Sequence, residues 1–423
     1  MTFSKPKFYK PYTHALLTFA GFAIFAFVAN SPAQIWDGLG KIITSRSLLI
    51  TDYIALGGLG ASLLNAAITG TASVLLMAFV RVEPNGSIIA AIWLTTGFSF
   101  FGKNIFNCVP IILGVWLYAK FQQENFSSFA LTALLAPTLS PVVSEFAFLG
   151  RFNPWAELCI GCAVGIAVGF LVPIVAGVTT RVHGGYNLYN VGFAGGVISI
   201  FVAAFTTSAG IEIERPLLWS DDNNLFLCIF LCLLMGSLLI VGLLPSRRAA
   251  NLRGYKKILR HSGRLVSDYY LLYGNAIYLN MGLLGLLATA LTLTLGAPLN
   301  GVTLAGIFTI TGFGAFGKHP ANCWPVVLGA IGMALFNTQP LASPSNICAI
   351  LFCTGLAPIA GQYGWVWGCI AGALHTLIVG HVGTVTSGFN LYSNGFAAGF
   401  VALVLVPIIL SFKRGKSIRE TEI

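Results

Sequence analysis

Apolar runs long enough to cross a bilayer follow one another along most of the chain, separated by short polar breaks. They fall at about 13–33, 52–80, 87–121, 126–148, 154–178, 186–208 and 223–245, then at about 269–297, 303–336, 343–359, 365–382 and 386–411. A crossing helix needs about 20 apolar residues, so most runs predict one span. The runs at about 87–121 and 303–336 are too long for one span. Each is broken by Gly-Lys (Gly102-Lys103, Gly317-Lys318) and followed by a proline (Pro110, Pro325). Each therefore predicts a re-entrant hairpin of two half-helices, because non-helical backbone at membrane depth is tolerated only inside protein or beside a cavity. The expected fold is an all-α membrane protein with about ten transmembrane helices plus two re-entrant hairpins.

The two broken runs are copies. From Thr96-Gly97-Phe98 to Leu113-Gly114, and from Thr311-Gly312-Phe313 to Leu328-Gly329, eleven of nineteen positions are identical at an offset of 215. Both copies hold Phe-Gly-Lys, then Asn-Cys (Asn107-Cys108, Asn322-Cys323) and a proline. Thr51-Asp52-Tyr53 matches Ser267-Asp268-Tyr269, and Leu135-Ala136-Pro137 matches Leu356-Ala357-Pro358. Gly185-Tyr186-Asn187-Leu188-Tyr189 matches Gly388-Phe389-Asn390-Leu391-Tyr392. A duplication of this extent divides the chain into repeats at 1–210 and 211–423, the second joined to its core by a basic loop over 246–266.

Charge sets the expected orientation. With 56% hydrophobic and 9% charged residues, and a mean hydropathy of +0.84, the composition excludes a soluble globular surface. The alternating ten-residue strands of an outer-membrane barrel are missing. The net charge of +10 reads as topology rather than nucleic-acid binding. With a cytoplasmic N-terminus and non-crossing hairpins, one side holds Lys5, Lys7, Lys10, Arg81, Lys120, Arg181, the run from Arg247 to Arg264, Lys413, Arg414, Lys416 and Arg419. The other side holds Lys41, Arg46, Arg151 and Arg215. That is a positive-inside distribution for the cell membrane with both termini cytoplasmic. It also gives the halves opposite orientation, as in secondary transporters with a midplane site. The two Phe-Gly-Lys tips are then expected to meet at the membrane centre from opposite faces.

The candidate solute-binding residues are the polar ones that repeat. Lys103 and Lys318 each cost about 2.5–3.5 kcal/mol at the bilayer centre, which suits two cationic donors for an anion. The alternative is pairing with Glu145, Glu157, Asp52 or Asp268, or snorkelling. Asn107 and Asn322 lie one turn later and either orient a solute or cap the second half-helix. Gly102 and Gly317 supply the turn and let backbone approach a ligand. Asn187 and Asn390 line the path or cap a helix, and Tyr189 and Tyr392 read as interfacial aromatics. Asp52, Asp268 and Glu145 are candidates for coupling to Na⁺ or H⁺, the two aspartates reading otherwise as caps. Glu145 and Glu157 have no repeat partner, falling opposite Val366 and Gly364. The nine cysteines read as core residues, and His183, His375 and His381 lack metal-ligand spacing. No cofactor or metal is expected.

The paired Phe-Gly-Lys and Asn-Leu-Tyr blocks resemble those of a family of bacterial membrane proteins of about 420 residues with no assigned function. That resemblance implies a membrane location and a two-half plan, and no substrate. Gly185-Tyr186-Asn187 and Gly388-Phe389-Asn390 are similar, more distantly, to the Gly-aromatic-Gly-Tyr-Asn motif that opens a pore half-helix in urea transporters. The first glycine is missing here and a urea slot has no place for lysines, so no urea-binding residue carries over. The layout also resembles elevator-type carriers in architecture.

The expected function is a secondary transporter for a small polar, anionic solute, with the lipid bilayer as surroundings and a homo-oligomer left open. The alternative is a passive channel for a urea-like solute or small anion. An enzyme is not expected, since HExxH, GxSxG and paired intramembrane aspartates are missing from the sequence.

Overall fold

Among the described residues, ten helices are long and apolar enough to cross a membrane, and no strand forms. The structure, a computed structural model, describes residues 10–213, 217–244, 247–265 and 267–421, with side chains as far as Lys413. Lys5, Lys7 and Arg215 lie outside the described residues, and the side chains of Arg414, Lys416 and Arg419 are not described. The first-half spans are Lys10–Ala29, Leu59–Val80, Phe126–Ala147, Pro154–Val182 and Asn190–Ser208. The second-half spans are Asn224–Gly242, Ala276–Thr294, Pro344–Tyr363, Trp365–Val385 and Ser393–Lys413. Each corresponds to one predicted run. The two over-long runs break where Gly-Lys predicts, into Gly86–Phe98 with Ile105–Phe121 and Gly301–Ala315 with Pro320–Ala334.

Three details depart from the sequence reading. The basic stretch after Asn224–Gly242 is not merely a loop, because it contains the eleven-residue helix Arg248–Ile258. That helix mirrors Pro32–Thr44, an amphipathic helix that begins at Ser31 with a capping box. Next, the Phe126–Ala147 and Pro344–Tyr363 spans are interrupted by 3₁₀ turns at Ala136–Leu139 and Cys353–Leu356. Aligning these turns pairs Pro141 with Pro358, each in the first turn of the helix that follows. The proline that matches Pro358 is therefore Pro141 and not Pro137. A Leu-Ala-Pro identity misled because proline recurs at the same helix-start position in a shifted sequence. The same alignment sets Glu145 opposite Gln362, not Val366, so that site is polar in both halves.

The third departure concerns the tips. The Gly86–Phe98 and Gly301–Gly312 helices lie side by side and antiparallel, and every residue in both except the half-buried Ser87 is buried. A Cβ at Gly97 would strike Phe308 and one at Gly312 would strike Trp93, each 2.6 Å from the other side chain's Cβ. At the ends, a Cβ at Gly86 would meet the Ala315 carbonyl and one at Gly301 the Phe100 carbonyl. Each tip thus sits beside the start of the other helix. At 1.5 Å per residue the helices are about 20 Å long, so the tips pass each other and do not meet. Side-by-side packing buries two helices that are apolar all round, which tip-to-tip contact does not achieve.

Aspartates hold this pair at both ends. Asp52 caps Tyr53–Gly57 and also accepts from Gly301 N at 3.1 Å, Ser220 N at 3.0 Å and Ser220 Oγ at 2.7 Å. Asp268 caps Tyr269–Tyr273 and accepts from Gly86 N through both oxygens, at 3.0 and 2.8 Å. Each half therefore supplies a carboxylate to the positive end of the other half's buried helix.

Candidate functional site

Each tip is built by the same local rules. Gly102 and Gly317 take φ of +95° and +84°, values at which a Cβ is strained. The chain then restarts helix with a capping box, Asn104 with Asn107 and His319 with Asn322. Asn107 Nδ2 donates to Gly102 O at 3.0 Å and to Ser144 Oγ at 3.0 Å. Asn322 Nδ2 donates to Gly317 O at 2.9 Å. Both asparagines thus serve the tip's own backbone, matching the capping alternative.

Two residues that the sequence reading passed over fasten the tips. Asn65 Nδ2 donates to the carbonyls of Ser99 at 2.6 Å and Lys103 at 2.8 Å. Asn280 Nδ2 donates to the carbonyls of Gly314 and Lys318, both at 2.7 Å. They stand 215 apart, the offset of the tips, each after a leucine and five residues before a glycine. That spacing is the signal that identifies them.

The lysines reach between halves. Lys103 Nζ donates to Tyr392 OH and lies 4.6 Å from the centre of that ring. Lys318 Nζ donates to Tyr189 OH, lies 4.6 Å from its ring centre, and also donates to Thr354 Oγ1 at 2.8 Å. Both lysines are fully buried, and neither forms an ion pair among the described residues. Each Nζ meets hydroxyl oxygens and aromatic faces.

The carboxylates proposed as lysine partners are engaged elsewhere. Glu145 pairs with Arg46 at 3.7 Å, and Glu157 accepts from the backbone of Gly150, Arg151 and Phe152. Burial pushes the Asp52 carboxyl up, and the donors from Ser220, Ile54 and Gly301 pull it back.

The Asn-Leu-Tyr blocks close the arrangement. Tyr189 and Tyr392 are buried at 6% and 5% exposure, so they are not interfacial aromatics. Their rings turn inward because each neighbouring leucine packs on the opposite tip: a Cβ at Gly102 would lie 2.5 Å from Leu391 and one at Gly317 2.9 Å from Leu188. Asn187 Nδ2 donates to Gly395 O at 2.9 Å and Asn390 Nδ2 to Gly192 O at 3.0 Å. These asparagines join the halves where the final helices of each begin. Tyr189 and Tyr392 also line a cavity of about 550 Å³, with Phe313 and Phe316 on one wall and Ser128, Thr132, Thr180 and Asn190 among its polar groups. The lysines are not on its surface and stand behind the tyrosines.

These features define a multi-pass helical membrane protein with duplicated elements that share one polar centre. The chain belongs to the family described as Protein of unknown function (DUF1576), whose profile matches residues 31–208 and 248–411. Those two segments fall one in each half. No curated protein and no solved structure matches the chain.

Proposed function

We propose that this protein is a secondary transporter for a small anionic solute, held at the centre of the membrane between two inverted repeats. The observation that carries the reading is the pair of fully buried lysines, each donating across the halves to a tyrosine that lines a 550 Å³ cavity. A tyrosine hydroxyl that accepts from an ammonium keeps its own O–H for donation. The cavity floor therefore carries two tyrosine hydroxyls beside the lysines, that of Tyr189 also 3.4 Å from Thr354 Oγ1, an arrangement that suits a carboxylate or other oxyanion. The volume lies within the range of small-molecule sites, about 300–1,000 Å³. The mostly apolar remaining wall favours a solute with a short hydrocarbon body.

In this reading the two broken runs are re-entrant hairpins, and both termini are cytoplasmic. The antiparallel packing of equivalent helices and the reciprocal aspartate caps support inversion. The cavity mouth, near Ser87, Ser128 and Thr180, is then cytoplasmic, the side of Arg81, Lys120 and Arg181. Asp52, Asp268 and Glu145 stay the candidates for Na⁺ or H⁺ coupling. A carrier suits the geometry better than a channel, because the cavity ends at the paired tyrosines.

The test is uptake into proteoliposomes of mono- and dicarboxylates, amino acids, inorganic anions and urea. Saturable uptake of an anion is expected, reduced at least tenfold by Lys103→Met or Lys318→Met in protein that still unfolds cooperatively. Unchanged uptake in both folded variants, or uptake of urea alone, overturns the reading.

A further inference from the structure

A second, much smaller void lies against the same two tyrosines. It measures about 10 Å³ and is lined by Leu94, Phe98, Tyr189, Thr309, Phe352, Leu391, Tyr392, Asn394 and Gly395. Its walls are related to those of the large cavity by the internal repeat. Phe98 is the counterpart of Phe313, Thr309 of Leu94, Phe352 of Leu135, and Asn394 of Val191. Leu391 and Gly395 correspond to Leu188 and Gly192, and the tyrosines exchange with each other. Every residue of the small void except Leu94 is thus the repeat partner of a residue lining the large one.

Among the paired residues, side-chain size favours neither side. Phe352 is larger than its partner Leu135, but Thr309 is smaller than Leu94. The remaining pairs are identical or, for Asn394 and Val191, similar in bulk. Eight of the 21 residues around the large cavity have their repeat partners around the small void, yet the volumes are about 550 Å³ and about 10 Å³. Across these shared positions the asymmetry lies in how the helices are placed. Leu94 and Thr309 mark the crossing point: Gly97 meets Phe308 and Gly312 meets Trp93 on either side of them. The two spaces therefore adjoin at the pseudo-twofold axis, with the tyrosines between them.

We infer that the central site has a second mouth, closed in this structure and bounded by Phe98, Thr309, Phe352 and Asn394, which opens to the opposite membrane face as the large cavity closes. This rests on the reading of the cavity as a solute site, and it adds the route by which the solute leaves. The two mouths share Tyr189 and Tyr392, so a solute held there needs no second set of donors. Interconversion of the two arrangements needs only that each half adopt the packing now held by the other, a population shift between two states of one duplicated fold.

The test is site-resolved thiol labelling of Leu135→Cys and Phe352→Cys in sealed vesicles, with a membrane-impermeant maleimide applied from each face. Mass spectrometry reads each position, so the native cysteines stay in place. Leu135→Cys is expected to react at least tenfold faster from one face, and Phe352→Cys at least tenfold faster from the other. Prior modification of Leu135→Cys with a bulky maleimide in the double variant is expected to lower labelling at Phe352→Cys at least tenfold. Val191→Cys with Asn394→Cys repeats the measurement if the first pair does not fold. A Phe352→Cys or Asn394→Cys that stays unreactive from both faces, or that reacts from the same face as its partner, overturns the inference. The assay needs no solute, so failure to find a transported anion leaves its outcome independent.

Discussion

Removing one hydroxyl from each tyrosine is expected to have unequal effects in the two halves. Tyr392→Phe takes from Lys103 the single oxygen that its Nζ meets among the described residues. Tyr189→Phe leaves Lys318 with Thr354 Oγ1 at 2.8 Å. The counterpart of Thr354 in the aligned 3₁₀ turns is Pro137, which has no hydroxyl to offer. A hydrogen bond to a charged group is worth about 1.5–3 kcal/mol, and interhelical bonds in membranes average about 0.6 kcal/mol. Phenylalanine keeps the aromatic face in both variants, so the cation–π contact at 4.6 Å largely survives. Tyr392→Phe should therefore cost about 2–3 kcal/mol and Tyr189→Phe about 1 kcal/mol. Adding Thr354→Val to Tyr189→Phe should bring its loss up to that of Tyr392→Phe. Reversible unfolding in mixed detergent micelles measures all three. Equal losses in the single variants, or a larger loss for Tyr189→Phe, would refute the account of how the lysines are held.

Three further outcomes follow from the same contacts. Asn65→Leu and Asn280→Leu each strand two tip carbonyls and should cost about 1–3 kcal/mol, read as lowered thermal midpoints of similar size; a neutral Asn280→Leu would show that the tips need no fastening. Asp268→Asn should raise hydrogen exchange at the start of Gly86–Phe98, and Asp52→Asn at the start of Gly301–Gly312, each in the opposite half, by about 1 kcal/mol of lost protection; loosening confined to the mutated half would contradict the reciprocal caps. Gly102→Ala places a Cβ at φ +95° against Leu391 and should cost about 1–3 kcal/mol by unfolding midpoint, whereas Gly177→Ala, inside a helix and where a Cβ meets nothing within 4 Å, should stabilise by about 0.5–1 kcal/mol.

Run length and identity made the spans and their duplication legible, because both are local properties of the string. The breaks at Gly102 and Gly317 were equally plain, since glycine before a lysine in an apolar run has few other uses. The partners of the lysines were not. Lys103 and Tyr392 are separated by 289 residues, and Lys318 and Tyr189 by 129. Nothing in either block states which half its tyrosine serves. Beside an anion site, the sequence reading therefore offered carboxylates, the usual relief for a buried ammonium, and named four that the fold employs otherwise. Tip placement escaped for a related reason. The expected inversion allows tips to meet or to pass, and the choice depends on glycines at positions 97 and 312 that admit Phe308 and Trp93.

The reciprocal caps bear on the order in which the protein is made. The carboxylate that secures Gly86 belongs to Asp268, synthesised 182 residues later, and the one near Gly301 belongs to Asp52, synthesised 249 residues earlier. While the ribosome is still in the first half, the early hairpin has neither its cap nor the tyrosine for Lys103. Until the last helix is made, Lys103 lacks the hydroxyl that its Nζ meets in the finished fold. The later half meets its waiting carboxylate as it emerges. Two genes encoding the halves separately would have to deliver both products to one patch of membrane before either was degraded, and joining them in one chain removes that race.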